Sequence, residues 1–134
     1  MSMKTLDPRS LQPGDVVAVW VFLVKHVGIV SDLCDQYGLP YVISCSARIG
    51  RGAEEPWSIF TGGRIAHKVQ LSSRFAAYQV VARARSMLSK PWDIFNWNCE
   101  HFVRVSYGLK PESVQLQVVS TAALAITVGL LCGR

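Results

Sequence analysis

The chain predicts an α+β domain in which a small antiparallel sheet comes first and helices follow. Three observations carry this reading. β-Branched and aromatic residues crowd the stretch from Val16 to Ser46 between turn residues. Apolar and basic positions separate at helical spacing between Ser72 and Leu88. Asn98 opens a second helical stretch that Gly108 closes, with Pro111 beyond it. With 134 residues, half of them hydrophobic, the chain can bury one core but hardly two.

Taken in order, Val16 to Val24, Lys25 to Ser31 and Tyr41 to Ser46 read as strands, the last two joined around the Asp32 to Pro40 loop. Arg48 to Gly63 carries Gly50, Gly52, Pro56 and the Gly62-Gly63 pair. It reads as a loop with at most a short helical turn near Pro56 to Phe60. A further strand is expected from Arg64 to Val69. In the Ser72 to Leu88 helix, Phe75, Tyr78, Val81, Ala82 and Leu88 oppose Arg85 and its neighbours, and Lys90-Pro91 ends it. In the helix after Asn98, Phe102, Val105 and Leu109 form an apolar stripe, and Glu100 and Arg104 stand four apart in the favourable order.

Cys99 falls in the first turn of that last helix. There the unpaired N–H groups and the macrodipole favour negative charge, and thiols in this position can drop well below the free value of about 8.5. Cys99 is therefore the candidate nucleophile. His101 cannot serve it easily as a base, because residues two apart on a helix do not face each other. Two histidines remain. His67 follows Gly62-Gly63-Arg64 and adjoins Lys68, which suits an exposed segment. His26 lies on a strand whose period of two puts it on one face with Gly28 and Val30, and the glycine leaves room for a close neighbour. His26 is the better base.

The runs Leu11-Gln12-Pro13-Gly14-Asp15-Val16-Val17, His26-Val27-Gly28-Ile29-Val30, Tyr41-Val42-Ile43-Ser44 and Asn98-Cys99-Glu100-His101-Phe102-Val103, with Tyr107-Gly108 behind, stand in a telling order. Over residues 11 to 117 the chain resembles the lecithin:retinol acyltransferase-like (LRAT domain) family, a permuted branch of the NlpC/P60 thiol-hydrolase superfamily. The resemblance implies a permuted, papain-like architecture. It implies Cys99 as acyl-accepting nucleophile, His26 as general base, and a third polar residue that orients the histidine. Many members carry a second histidine at that third place; the matching position here is Ser44, with Ser46 as its rival. Serine accepts a hydrogen bond from an imidazole but brings no charge to stabilise an imidazolium.

The cysteines Cys34, Cys45, Cys99 and Cys132 form no CxxC pair and no cluster with histidine, which argues against zinc and for a reducing compartment. Met1 to Asp15 lacks the apolar run of a secretory signal, so a cytoplasmic origin is expected. The net charge of +5 is modest and its basic residues are scattered, which disfavours nucleic acid. Glu54 and Glu55 are adjacent and suit a loop or helix start better than a catalytic pair. Trp92 and Trp97 read as core or lid aromatics.

The chain thus divides into a catalytic domain over 1–112 and a hydrophobic tail over 113–134. Ser113 to Gly133 holds no charged residue, and the strictly apolar part, Val118 to Cys132, is about 15 residues against the roughly 20 that a spanning helix needs. Thr121, Ala125, Gly129 and Gly133 recur every four residues, as small-residue contact stripes in lipid do. A membrane-associated tail is expected, and several relatives in the resembled family carry one. The functional expectation is a thiol acyltransferase or phospholipase A-type hydrolase that forms an acyl-thioester on Cys99. Its acyl donor would be a phospholipid or another ester, with no metal and no organic cofactor. An NlpC/P60-like amidase or peptidase, and an inactive membrane or interaction module, are the alternatives.

Overall fold

The computed structural model describes residues 5–118, 120 and 121. Five strands form one antiparallel sheet: β1 Val16–Val21, β2 Val24–Cys34, β3 Pro40–Ser46, β4 Arg51–Pro56 and β5 Ala66–Val69, in the spatial order β4-β3-β2-β1-β5. Helices α1 Trp57–Thr61, α2 Ala77–Ser86 and α3 Cys99–Ser106 accompany it. The α+β class and the sheet-then-helix order are therefore present.

The sheet is covered on both faces. Val16, Ala18, Val27, Ile29, Ile43 and Cys45 face α2 and α3 and pack with Val80, Val81, Ala84, Phe102 and Val103. Val17, Val19, Val30 and Val42 face the other way, onto Phe60 of α1 and Leu11. This two-sided burial explains why β1 reads as a continuous apolar run rather than an alternation. His26 pairs with Val19 and so belongs to the Phe60 face, where the two rings stand 5.1 Å apart. Gly28 is beside it because a Cβ there would lie 2.5 Å from Val42 Cγ1 and 3.0 Å from the Phe60 ring. The close neighbours that the glycine admits are Val42 and Phe60.

Two local expectations are corrected. Arg48 to Gly63 is not mainly loop: β4 pairs with β3 from Ser46↔Arg51 to Tyr41↔Pro56. Its Gly52 and Pro56 conceal the strand, but at the sheet edge a proline costs no ladder bond, and a Cβ on Gly52 would strike the Leu88 backbone at 2.8 Å. Glu100 and Arg104 do not pair. Glu100 accepts hydrogen bonds from Ser113 Oγ and the Gln115 side-chain amide, while Arg104 reaches Glu112 and the Lys110 carbonyl.

Glu54 and Glu55, adjacent on β4, point to different partners. Glu55 pairs with Arg48, and Glu54 takes a fork from Arg85 that also reaches Asp32 and Ser31. Hydrogen bonds from Arg85 hold both the Asp32 and Glu54 carboxyls below their ordinary values. This fork ties α2 to β2 and β4. Arg85→Met is expected to lower stability by about 2 kcal/mol, because Glu54 loses a charge-assisted partner while mostly buried. Since the folded pKa values are depressed, the contribution is complete above the unfolded carboxylate range and fades as pH falls through the folded values. Denaturant unfolding of the native chain and Arg85→Met should therefore converge in acid; a difference that persists there would contradict the assignment.

Candidate active site

Helix α3 begins at Cys99 because Asn98 caps it, its side chain accepting from the Glu100 and His101 N–H groups at 3.0 and 3.2 Å. His101 completes the cap: its Nδ1 accepts the Asn98 N–H at 3.0 Å. Burial lowers the His101 pKa, with Glu100 and Asp93 opposing, so the ring stays a neutral acceptor. His101 therefore holds the helix start, consistent with its being unable to face Cys99.

The placement of Cys99 follows from a split in the sheet. β2 and β3 pair at Val30↔Val42 and Ile29↔Ile43, and among the described residues β2 has no β3 partner on the Lys25 side of those. The hairpin register puts the amides of Val24, His26 and Gly28 toward β1, so those of Lys25 and Val27 point to the side that β3 has left. Side chains take over there. Gln115 Oε1 accepts the Lys25 N–H at 2.7 Å, and its Nε2 donates to the Lys25 carbonyl at 2.7 Å. The Cys99 thiol donates to that same carbonyl at 3.8 Å and has the Val27 N–H directed at it. Cys99 Sγ thus sits in the plane of the sheet, one residue along the strand from His26.

Glu100 fastens the replacement. Its carboxylate accepts from Ser113 Oγ at 2.8 Å and from the Gln115 side-chain amide at 3.1 Å, and it caps the helical turn at 114–118 through the Val114 and Gln115 N–H groups at 3.2 Å. Trp97 lies buried behind, edge-on to Phe102 and under the Lys90 ammonium, while Trp92 packs on the same core. The Cys45 thiol donates to the Trp97 carbonyl at 3.8 Å.

The electrostatics differ from the expectation of an easily ionised thiol. Cys99 is only 8% exposed, and burial pushes its thiol up to about 11. Backbone N–H groups of Val27, Glu100 and Cys99 pull it down, against the Glu100 charge. Burial also lowers the His26 pKa, opposed by Glu55 and assisted by Arg48. The resting pair is a neutral thiol and a neutral imidazole. His26 and Ser44 share the Phe60 face of the sheet, opposite the face on which α3 packs. Among the described residues, the His26 ring makes no hydrogen bond to Cys99, Ser44 or Ser46. Ser44 is 2% exposed, and its hydroxyl has no side-chain hydrogen bond among the described residues. His67 is exposed on β5.

The residue that sequence reasoning missed is Gln115. Its signal is present in the sequence, since it is one of few polar side chains in the uncharged run from Ser113 to Gly133. No protein-family model matches the chain, and no curated protein matches it.

At neutral pH, alkylation by iodoacetamide is expected to reach exposed Cys34 well before Cys99, and the Cys99 rate should keep rising with pH beyond 9. Peptide mass spectrometry across a pH series measures this. A Cys99 rate that levels off below pH 8 would contradict the buried neutral thiol.

Proposed function

We propose that the chain is a cysteine-dependent acyltransferase or phospholipase A-type hydrolase that carries the acyl group as a thioester on Cys99, with a phospholipid as acyl donor. The observation that carries this reading is the position of the sulfur. It lies at the start of a capped helix, in a split of the sheet, with the N–H groups of Val27, Cys99 and Glu100 directed toward it. Such N–H groups suit the oxyanion that develops when a carbonyl is attacked beside the sulfur. The resemblance to the LRAT-like family over residues 11 to 117 supports the same reading, as does the order of elements, with the sheet first and the cysteine helix late.

In the proposed reaction His26 removes the Cys99 proton as the sulfur attacks an ester carbonyl. The C–O bond then breaks, the proton passes to the departing alkoxide, and the acyl group remains on sulfur. Water or an amine, deprotonated by the same imidazole, releases it. A neutral thiol and a neutral imidazole make this general-base catalysis at the moment of attack rather than use of a stored ion pair. The imidazole must turn from Phe60 toward the split for this, with Ser44 on the same face to receive its other N–H. The apolar run after Val118 supports a lipid donor.

A non-catalytic membrane module is the second reading, favoured by the raised thiol and by Ser44 standing without a bond to His26.

The test is intact-protein and peptide mass spectrometry after incubation with phospholipid vesicles and an acid quench. An acyl mass is expected on Cys99, absent in Cys99→Ala and reduced at least about 100-fold in His26→Ala, the usual contribution of a general base. Because the His26 pKa is lowered, the base form persists as pH falls, and thioester formation should decline only below pH 6.5. An unmodified Cys99 under all these conditions would select the non-catalytic module.

A further inference from the structure

The β1–β2 hairpin ends in a turn that the fold does not explain. Val21 pairs with Val24, leaving Phe22 and Leu23 as its two central residues. They are 92% and 93% exposed, and Trp20 and Val24 beside them are more than half exposed. Phe22 has φ +57°, and it is the one non-glycine residue with positive φ among the described residues. A positive φ at the first central position alone is the pattern of a type II′ turn, where glycine is preferred. An aromatic there is strained and in water at once, and at 92% exposure it finds little burial among the described residues to offset either cost.

What surrounds the tip says what covers it. Gln115 binds both backbone groups of Lys25, so the helical turn at 114–118 starts at the same end of the sheet, with Val114 and Val118 exposed. The sequence continues from there into the uncharged run that ends at Gly133. The tip and the turn at 114–118 thus lie at the same end of the sheet. Two residues of strand, Val24 and Lys25, separate the turn from the carbonyl at Cys99 Sγ, about 7 Å, which is within the depth to which interfacial apolar groups sink.

We propose that the Trp20–Val24 hairpin tip inserts into the surface of a phospholipid bilayer and brings the β2–β3 split to the level of the lipid ester groups. This deepens the acyl-transfer reading and rests on it for the purpose of the docking. The docking itself does not depend on catalysis.

The test uses the full chain carrying Cys99→Ala, with phosphatidylcholine vesicles containing anionic lipid and brominated near the headgroup. The Trp20 contribution to fluorescence is isolated by comparison with Trp20→Phe. Bromine is expected to quench the Trp20 emission at least about twofold. In Phe22→Asn/Leu23→Ser this quenching should disappear, while the thermal midpoint is unchanged or raised, since asparagine tolerates positive φ. Trp20 emission that bromine leaves unquenched would overturn the proposal, whether or not the protein sediments with vesicles. So would quenching that survives in the tip variant. Acylation of the native chain by a soluble short-chain ester is measured separately. A thioester without Trp20 quenching would sink the docking alone, and quenching without a thioester would sink the catalytic reading alone.

Discussion

Two backbone groups of Lys25 and one of Val27 lie on an edge of β2 that β3 does not cover, and the end of the molecule that holds the candidate site is built to satisfy them. Buried amides without partners are costly, on the order of 1–3 kcal/mol each. Here the Gln115 amide and the Cys99 thiol stand in for the missing strand. The thiol is in the plane of the sheet because of this substitution. The segment from Ser113 is drawn in because Gln115 must reach Lys25 and Glu100 must hold Gln115. The hairpin tip projects beyond, since strand β2 continues past its last β3 partner.

The same arrangement decides the charge state of the site. A helix start favours a thiolate by about 0.3–1 kcal/mol at an exposed position. Withdrawal of Cys99 from water outweighs this and pushes the thiol up to about 11, on the order of 3 kcal/mol against ionisation. The dipole argument holds for the direction of the backbone contribution and loses on magnitude. A neutral thiol at Cys99 and a neutral His26 leave the site slow to react with stray electrophiles at rest.

Much of the fold was legible in the sequence because periodicity reports faces. The Val16 to Ser46 strands, the Ser72 to Leu88 helix and the capped start at Asn98 all lie near their structural counterparts β1 to β3, α2 and α3. The alternation along Lys25 to Val30 also put His26 with Gly28, and Phe60 now supplies the reason. β4 was hidden because edge strands tolerate glycine and proline, which otherwise signal loops. The contacts of Glu54, Glu100 and Gln115 were hidden for a different reason: each spans 13 residues or more of sequence, and no local pattern encodes such a reach. Most of the expected tail, beyond residue 121, lies outside the described residues; among those described, no helix is long and apolar enough to cross a membrane.

The account stands or falls on whether side chains close the open edge of β2. Amide hydrogen exchange followed by NMR reads this directly at Lys25, Val27 and Ile29. Protection of the Lys25 amide in the native chain is expected, with selective loss in Gln115→Ala while Ile29, paired with Ile43, keeps its protection. A Lys25 amide that exchanges as fast as an unstructured peptide in the native chain would contradict the edge closure and, with it, the placement of the Cys99 thiol.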